Sequence, residues 1–429
     1  MLNLGLYDDN SSVTLLPSMP PPLASFPATA GGPLGNNVKS QAVFENWDND
    51  GCFQGSGDAG AVVVGPCPAR GSGEPVTDTL LLRYKLLAQS KRVLAGMVRE
   101  GHNLLGCQTV PFAAGWVEIL RAIDEGERGR AVAFRNIKNC HSVWCCPVCS
   151  ARIAAGRTAE LRQGIYSAKR AGLDAYMLTL TFRHGRQDDL AELLTRMSAA
   201  MAGFWGHWGV KNLWRDWGGV GHIRATELTF SNRAGWHPHM HILLIGPSGL
   251  HTDRLQTAWA GYWVEALRRA GLQGVEGVAC QLQGAAAVQG YLTKMPAELA
   301  LGNVTKQSRI EGGFSPFQVL GMSHYGEPYK TLWRAYYEAT KGRRALVWSR
   351  GLKTRLGVAD VSDDQIADIT GASEVLLLVH TDDWRKLAHE DIAWIRRAGA
   401  WSLVEIIDTL DARGVRYRLG ENRPIAKGA

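Results

Sequence analysis

The run Trp236-His237-Pro238-His239-Met240-His241-Ile242-Leu243-Leu244-Ile245 constrains this chain more than any other. Its length and apolar residues make it a strand, and strand side chains alternate between two faces. His237, His239 and His241 therefore share one face, while Met240, Ile242 and Leu244 turn into a core and pin the register. Two neutral imidazoles at that spacing can hold one divalent cation, leaving positions for a carboxylate and a substrate oxygen.

The preceding segment supplies the carboxylate. Gly221–Phe230 and His237–Ile245 flank the short polar loop Ser231–Gly235, the pattern of a β-hairpin with glycine at the turn. With the turn centred near Arg233, Glu227 stands opposite His239, because both positions are equidistant from it. Directly opposed residues lie about 4.5–5.5 Å apart at Cβ. Glu227 is thus expected to share the ion with His239 and His241. His237 lies on the same face and either supports the ligands or contacts DNA.

Around the hairpin, strands and helices alternate. Tyr176–Phe182 reads as a buried strand, Asp188–Trp205 and Leu250–Ala270 as helices, Val275–Leu282 as a short strand and Ala285–Lys294 as a helix stopped near Pro296. The order predicts an α+β fold: a central antiparallel sheet with helices on one face. On the last of these helices Tyr291 and Lys294 are three residues apart and share a face. A tyrosine phenol, with a pKa of about 10, is a poor nucleophile at neutral pH. A nearby ammonium or metal ion lowers the cost of forming the phenolate.

Upstream, Cys140, Cys145, Cys146 and Cys149 fall within ten residues and lead into a helix over Ala151–Arg170. Soft thiolates at short spacing suit a structural Zn²⁺ knuckle. Which three or four bind stays open, and His141 could replace one. No export signal accompanies the cysteines, so a reducing, cytoplasmic setting is expected rather than a disulfide framework. Nor is there an apolar run of about 18 residues for a membrane span.

Residues 1–75 hold seven acids, two bases and several Pro and Gly clusters, and are expected to form a disordered tail. Against that tail's −5, the rest of the chain carries +12 of the net +7 charge, which suits a polyanionic partner. The segments then expected are a helical, cysteine-rich stretch over 76–170, a core over 171–300, a core extension over 301–355 and a small α/β unit over 356–429. In that last unit a strand at Val375–His380, one helix over Trp384–Leu410 and a strand at Val415–Leu419 are expected. Trp205, Trp208, Trp214 and Trp217, interleaved with Lys211 and Arg215, either stack on unpaired bases or pack a core. Trp333, Tyr336 and Tyr337 leave the same two options.

In combination these pieces resemble the single-tyrosine rolling-circle replication initiators of plasmids, within the HUH endonuclease superfamily. The matching residues are Leu178-Thr179-Leu180-Thr181-Phe182, Glu227, Trp236-His237-Pro238-His239-Met240-His241 and Gly290-Tyr291-Leu292-Thr293-Lys294. The cysteine cluster and Trp348-Ser349-Arg350-Gly351-Leu352-Lys353 also look like this group, so the resemblance spans roughly Cys140 to Lys353. It implies an HUH core in which His239, His241 and Glu227 hold Mg²⁺ or Mn²⁺. Tyr291 is then the nucleophile, assisted electrostatically by Lys294. Thr179, Thr181, Arg183 and His237 are expected to contact DNA.

The implied partners are plasmid origin DNA, single-stranded or extruded as a hairpin, with a host helicase and polymerase. One departure is Ala287, four residues before Tyr291, where some members carry an acidic residue for termination. The rival readings are a transposase or relaxase with the same chemistry, a histidine-triad nucleotide hydrolase, and a zinc-stabilised DNA-binding protein without catalysis.

Overall fold

The computed structural model describes residues 79–122, 132–284, 288, 313–368, 373–398, 402–420 and 424–425. Tyr291 and Lys294, the helix expected to carry them except for Val288, and the expected N-terminal tail lie outside these residues. The described strands, in chain order, are β1 (Trp116–Ala122), β2 (Ala133–Arg135), β3 (Leu173–Leu180), β4 (Gly221–Ser231), β5 (Gly235–Pro247), β6 (Cys280–Gln283), β7 (Leu346–Trp348), β8 (Ser373–His380), β9 (Tyr417–Leu419) and β10 (Pro424–Ile425). They form two antiparallel sheets, so the fold is α+β as expected.

The first sheet has the order β6-β3-β5-β4-β7, which puts the histidine strand in the middle. β5 pairs with β4 from Ser231↔Gly235 to Gly221↔Ile245, and Glu227 falls opposite His239. Its other edge pairs with β3, where Thr179 falls opposite His241. The turn depends on Gly235, whose φ is +72°. A Cβ there would also meet the Arg186 backbone at 3.0 Å, so both conformation and space call for glycine. The Ser231 hydroxyl accepts from the Ala234 N–H at 3.0 Å and closes the loop.

Strand alternation divides the sheet into two apolar faces. Tyr176, Leu178, Leu180, Leu228, Met240, Ile242 and Leu244 join the larger core, beneath the helices Leu190–Gly206 and Thr252–Arg269. Ala175, Met177, Ile223, Leu243 and Ile245 face the other way, against the helix Pro147–Arg170. Helices therefore cover both faces, which corrects the expectation of one covered face. The physical reason is legible in β5: Leu243 and Ile245 extend the histidine face into apolar surface that requires a cover. The histidines lie along this same face, beyond those apolar positions.

The second sheet places β1 between β2 and β8, and β8 pairs with both β9 and β10. Its strands come from 76–170 and from 356–429, stretches that the sequence reading had kept apart. Residues of both sheets belong to one continuous core. The single helix expected over Trp384–Leu410 is instead three: Thr381–Trp384, His389–Ala398 and Leu403–Ala412. Capping explains the breaks, since the Asp391 carboxylate accepts from the Ala388 N–H at 3.0 Å and Ser402 caps the last helix through the Glu405 N–H at 3.2 Å.

The tryptophan-rich stretch is largely structural. Trp205, Trp214 and Trp217 make edge-to-face contacts in sequence, and Trp205 also meets Trp259 of the larger core. Trp333, Tyr336 and Tyr337 are buried, and only Trp208, 70% exposed, remains open to a base.

Candidate metal and phosphodiester site

The centre of the site follows from β-sheet geometry alone. Glu227 Oε2 lies 3.0 Å from His239 Nε2 and 3.3 Å from His241 Nε2. The donor atoms of these three residues all fall within 4.8 Å of one another. Their side chains are between 14% and 19% exposed, so the cluster is mostly enclosed but reachable. One carboxylate and two imidazoles form a nitrogen and oxygen donor set suited to a divalent first-row cation. Within one hairpin, that set would be convergent before any ion arrived.

The neighbouring strand orients the ligands. The Thr179 hydroxyl lies 3.0 Å from His241 Nδ1, on the side of the ring away from Glu227. Such a contact selects the ring tautomer and fixes its plane. Continuing the β3–β5 register by one step brings Thr181 opposite His239. Thr181 Oγ1 and His239 Nδ1 are both buried, and neither has a hydrogen-bond partner among the described residues.

His237 takes a different role from its neighbours. Its Nδ1 is 2.6 Å from Nε2 of His184, whose Nδ1 is in turn 3.0 Å from the Ala234 carbonyl oxygen. A carbonyl only accepts, so His184 Nδ1 donates to it. Burial lowers the pKa of His184 and keeps the ring neutral, leaving its Nε2 to accept from His237 Nδ1–H. Burial, aided by His239 and His184, holds His237 at about 4. Its Nε2 therefore presents a lone pair at neutral pH.

Sequence reasoning had not singled out His184, although it lies two residues beyond the threonine strand. An open groove of about 400 Å³ adjoins it, lined by Arg183, Asp188, Asp189, Glu192 and Arg196 among others. Arg183 is exposed there, and its backbone N–H is held by the Gln273 carbonyl at 2.7 Å.

A second cluster gathers Cys107, Cys140, Cys146 and Cys149, with their sulfurs within 4.8 Å of one another. This corrects the expected ligand set in one position, because Cys145 turns away. Burial pushes the Cys145 thiol up to about 12, and its neighbours are Ser142 and Thr340. Cys146 joins the other three sulfurs, while the adjacent Cys145 packs elsewhere. Cys107 lies too far upstream for local spacing to reveal it. His141 is likewise elsewhere, with Nε2 2.9 Å from the Asp368 carboxylate.

A model of the replication protein family matches residues 132–390, a span that contains the whole hairpin. The chain belongs to the replication protein family. It is 28% identical to Protein rep of Streptomyces lividans over 54% of this chain and 66% of that protein. It is also 27% identical to Protein rep of Lentilactobacillus hilgardii, over 29% of this chain and 40% of that protein. A neomycin resistance protein of Streptomyces cyanogenus is 32% identical over 28% of this chain and 32% of that protein.

The matches thus span just under two thirds of the first relative and smaller shares of the others. No solved structure matches this chain. The span matched by the family also takes in Cys140, Cys146 and Cys149, but not Cys107. Among the described residues, no helix of this replication protein is long and apolar enough to cross a membrane.

Proposed function

We propose that this replication protein is a plasmid rolling-circle initiator that nicks and rejoins origin DNA through a covalent tyrosine intermediate. The observation that carries the reading is the convergence of Glu227 on β4 with His239 and His241 on β5, the middle strand of an antiparallel sheet. This is the ligand set that an HUH core requires. Mg²⁺ or Mn²⁺, when bound there, would neutralise charge on the non-bridging phosphate oxygens and orient the phosphate.

The chain's own residues supply the rest. Tyr291 gives up its phenolic proton and its oxygen attacks phosphorus. The bond to the 3′ oxygen breaks and that oxygen takes up a proton in place of the one the phenol lost, leaving a 5′-phosphotyrosine and a 3′-hydroxyl that primes synthesis. Lys294 steadies the phenolate and the developing charge. One ester replaces another, so no nucleotide needs to be hydrolysed. A later attack by a 3′-hydroxyl on the phosphotyrosine rejoins the strand. With Ala287 four residues before Tyr291, termination relies on such an exchange or on another group for activating water.

In this scheme Thr179 holds the His241 ring, while Thr181, Arg183 and His237 meet the DNA. The partners proposed are origin DNA, single-stranded or extruded, followed by host helicase and polymerase in the cytoplasm. A histidine-triad hydrolase would need the middle or last histidine, His239 or His241, free to attack phosphate. The Glu227 contact to both rings favours ligation instead.

Incubating the full chain with a single-stranded origin oligonucleotide and Mn²⁺ tests the proposal. Specific cleavage by the wild type, lost in His239→Ala and on chelation, is expected. Undiminished cleavage by His239→Ala would overturn the ligand assignment.

A further inference from the structure

Four thiols converge at a point remote in sequence from the histidine hairpin. The Sγ separations are 3.6 Å for Cys107–Cys149, 3.7 Å for Cys107–Cys146 and 3.8 Å for Cys140–Cys149. Disulfide sulfurs would be about 2.05 Å apart, so no pair is bonded. Four sulfurs placed about 2.3 Å from one central ion at tetrahedral angles would be separated by about 3.8 Å. The observed spacings match that edge length.

We infer that Cys107, Cys140, Cys146 and Cys149 form a tetrathiolate Zn²⁺ site, Cys-x32-Cys-x5-Cys-x2-Cys, in which Cys145 takes no part. The inference stands apart from the nuclease reading, since it uses none of the same residues.

The surroundings fit the charge such a site would carry. Four thiolates about one divalent cation leave a net charge of about −2. Lys91 is largely buried beside them, its ammonium donating to the Cys107 carbonyl at 2.7 Å and to Thr109 Oγ1 at 2.9 Å. Arg152 acts electrostatically on Cys149. Cys146 is the N-cap of the 24-residue helix Pro147–Arg170, and its sulfur accepts from the Cys149 N–H at 3.4 Å. The positive end of that helix therefore points at the thiolates.

The backbone is shaped for the purpose as well. Only three described residues other than glycine have positive φ, and two directly follow ligands: Gln108 after Cys107 at +63° and His141 after Cys140 at +57°. Left-handed turns at such residues are retained only where their surroundings over-determine them. Here the two loops are also tied together, because the Gln108 N–H donates to the Lys138 carbonyl at 2.8 Å and the Lys138 N–H to the Val110 carbonyl at 3.0 Å. The ion would staple residues 103–107, which precede the family-matched span, to the entry of the helix that covers the histidine face of the sheet.

The test is metal analysis of full-length protein purified without chelators. One zinc per chain is expected in the wild type and in Cys145→Ala, and a large loss in Cys107→Ser. Because Cys107→Ser could fail to fold, the cobalt-substituted chain gives a second readout. Intense sulfur-to-cobalt charge-transfer absorption is expected, unchanged in Cys145→Ala, with shifted ligand-field bands in Cys107→His. Iron in place of zinc, zinc retained by Cys107→Ser, or zinc lost from a folded Cys145→Ala would each overturn the assignment.

Discussion

Glu227 stands directly across the hairpin from His239, and its Oε2 reaches that ring at 3.0 Å while also touching His241 at 3.3 Å. One carboxylate oxygen thus organises both imidazoles. Replacing it by an amide keeps the shape but removes the charge that favours a cation. Glu227→Gln is expected to lower Mn²⁺-dependent cleavage by more than about 100-fold, beyond the 10–100-fold cost of disturbing a group that merely supports a ligand. Thermal unfolding should change little. Wild-type cleavage rates in that variant would contradict its place in the ligand set.

Thr179 offers a finer test, because it meets the ion only through His241. Loss of its hydroxyl in Thr179→Val removes the 3.0 Å contact to Nδ1 while preserving bulk. A rise of about 10–100-fold in the Mn²⁺ concentration needed for half-maximal cleavage is expected, with the rate recovering at saturating metal. If the rate falls equally at every metal concentration, Thr179 acts on DNA rather than on the ligand.

The hairpin shows how much of the site a sequence can disclose. Period-two alternation and an equidistant turn were enough to pair Glu227 with His239, because both are local rules. The pairing of β1 with β8 joins residues more than 250 positions apart, and no local pattern encodes it. Cys107 was hidden for the same reason, lying far from the other three ligands. His184 was missed because its importance comes from a tertiary contact to His237, and a lone histidine after a strand carries no signal. Tyr291 and Lys294 rest on motif resemblance, since they fall outside the described residues.

Aromatic substitutions should separate core from surface. Trp333 is fully buried, so Trp333→Ala is expected to cost about 3–5 kcal/mol, the range for large aromatic truncations in a core. Trp208 is 70% exposed, and Trp208→Ala should leave chemical denaturation within about 0.5 kcal/mol of wild type. A large loss of stability in Trp208→Ala would show that its exposure is misjudged.

Stability should fall in mild acid. Burial, with Arg224 nearby, lowers His222 to about 4, and burial beside Lys91 and Arg92 lowers His389 to about 3. An unfolded histidine titrates near about 6.5. Above that pH both rings are neutral whether folded or not, and they impose no penalty. Below it the unfolded chain takes up protons that the folded chain resists, so stability drops as pH falls from about 6.5 toward 4. The Tm should decline over that window, and His222→Phe, which can keep the 4.4 Å stack on Trp205, should decline less steeply. A variant whose Tm falls as steeply as that of the wild type would refute the part assigned to His222.

The central claim is that the imidazole-held metal and the Tyr291 phenol act on one phosphodiester. Trapping the covalent product with a labelled single-stranded origin oligonucleotide and Mn²⁺, then mapping the modified peptide by mass spectrometry, tests it most directly. The account predicts a nucleotide on Tyr291, no adduct in Tyr291→Phe and undiminished DNA binding by that variant. An adduct on another residue, or its persistence in Tyr291→Phe, would contradict it.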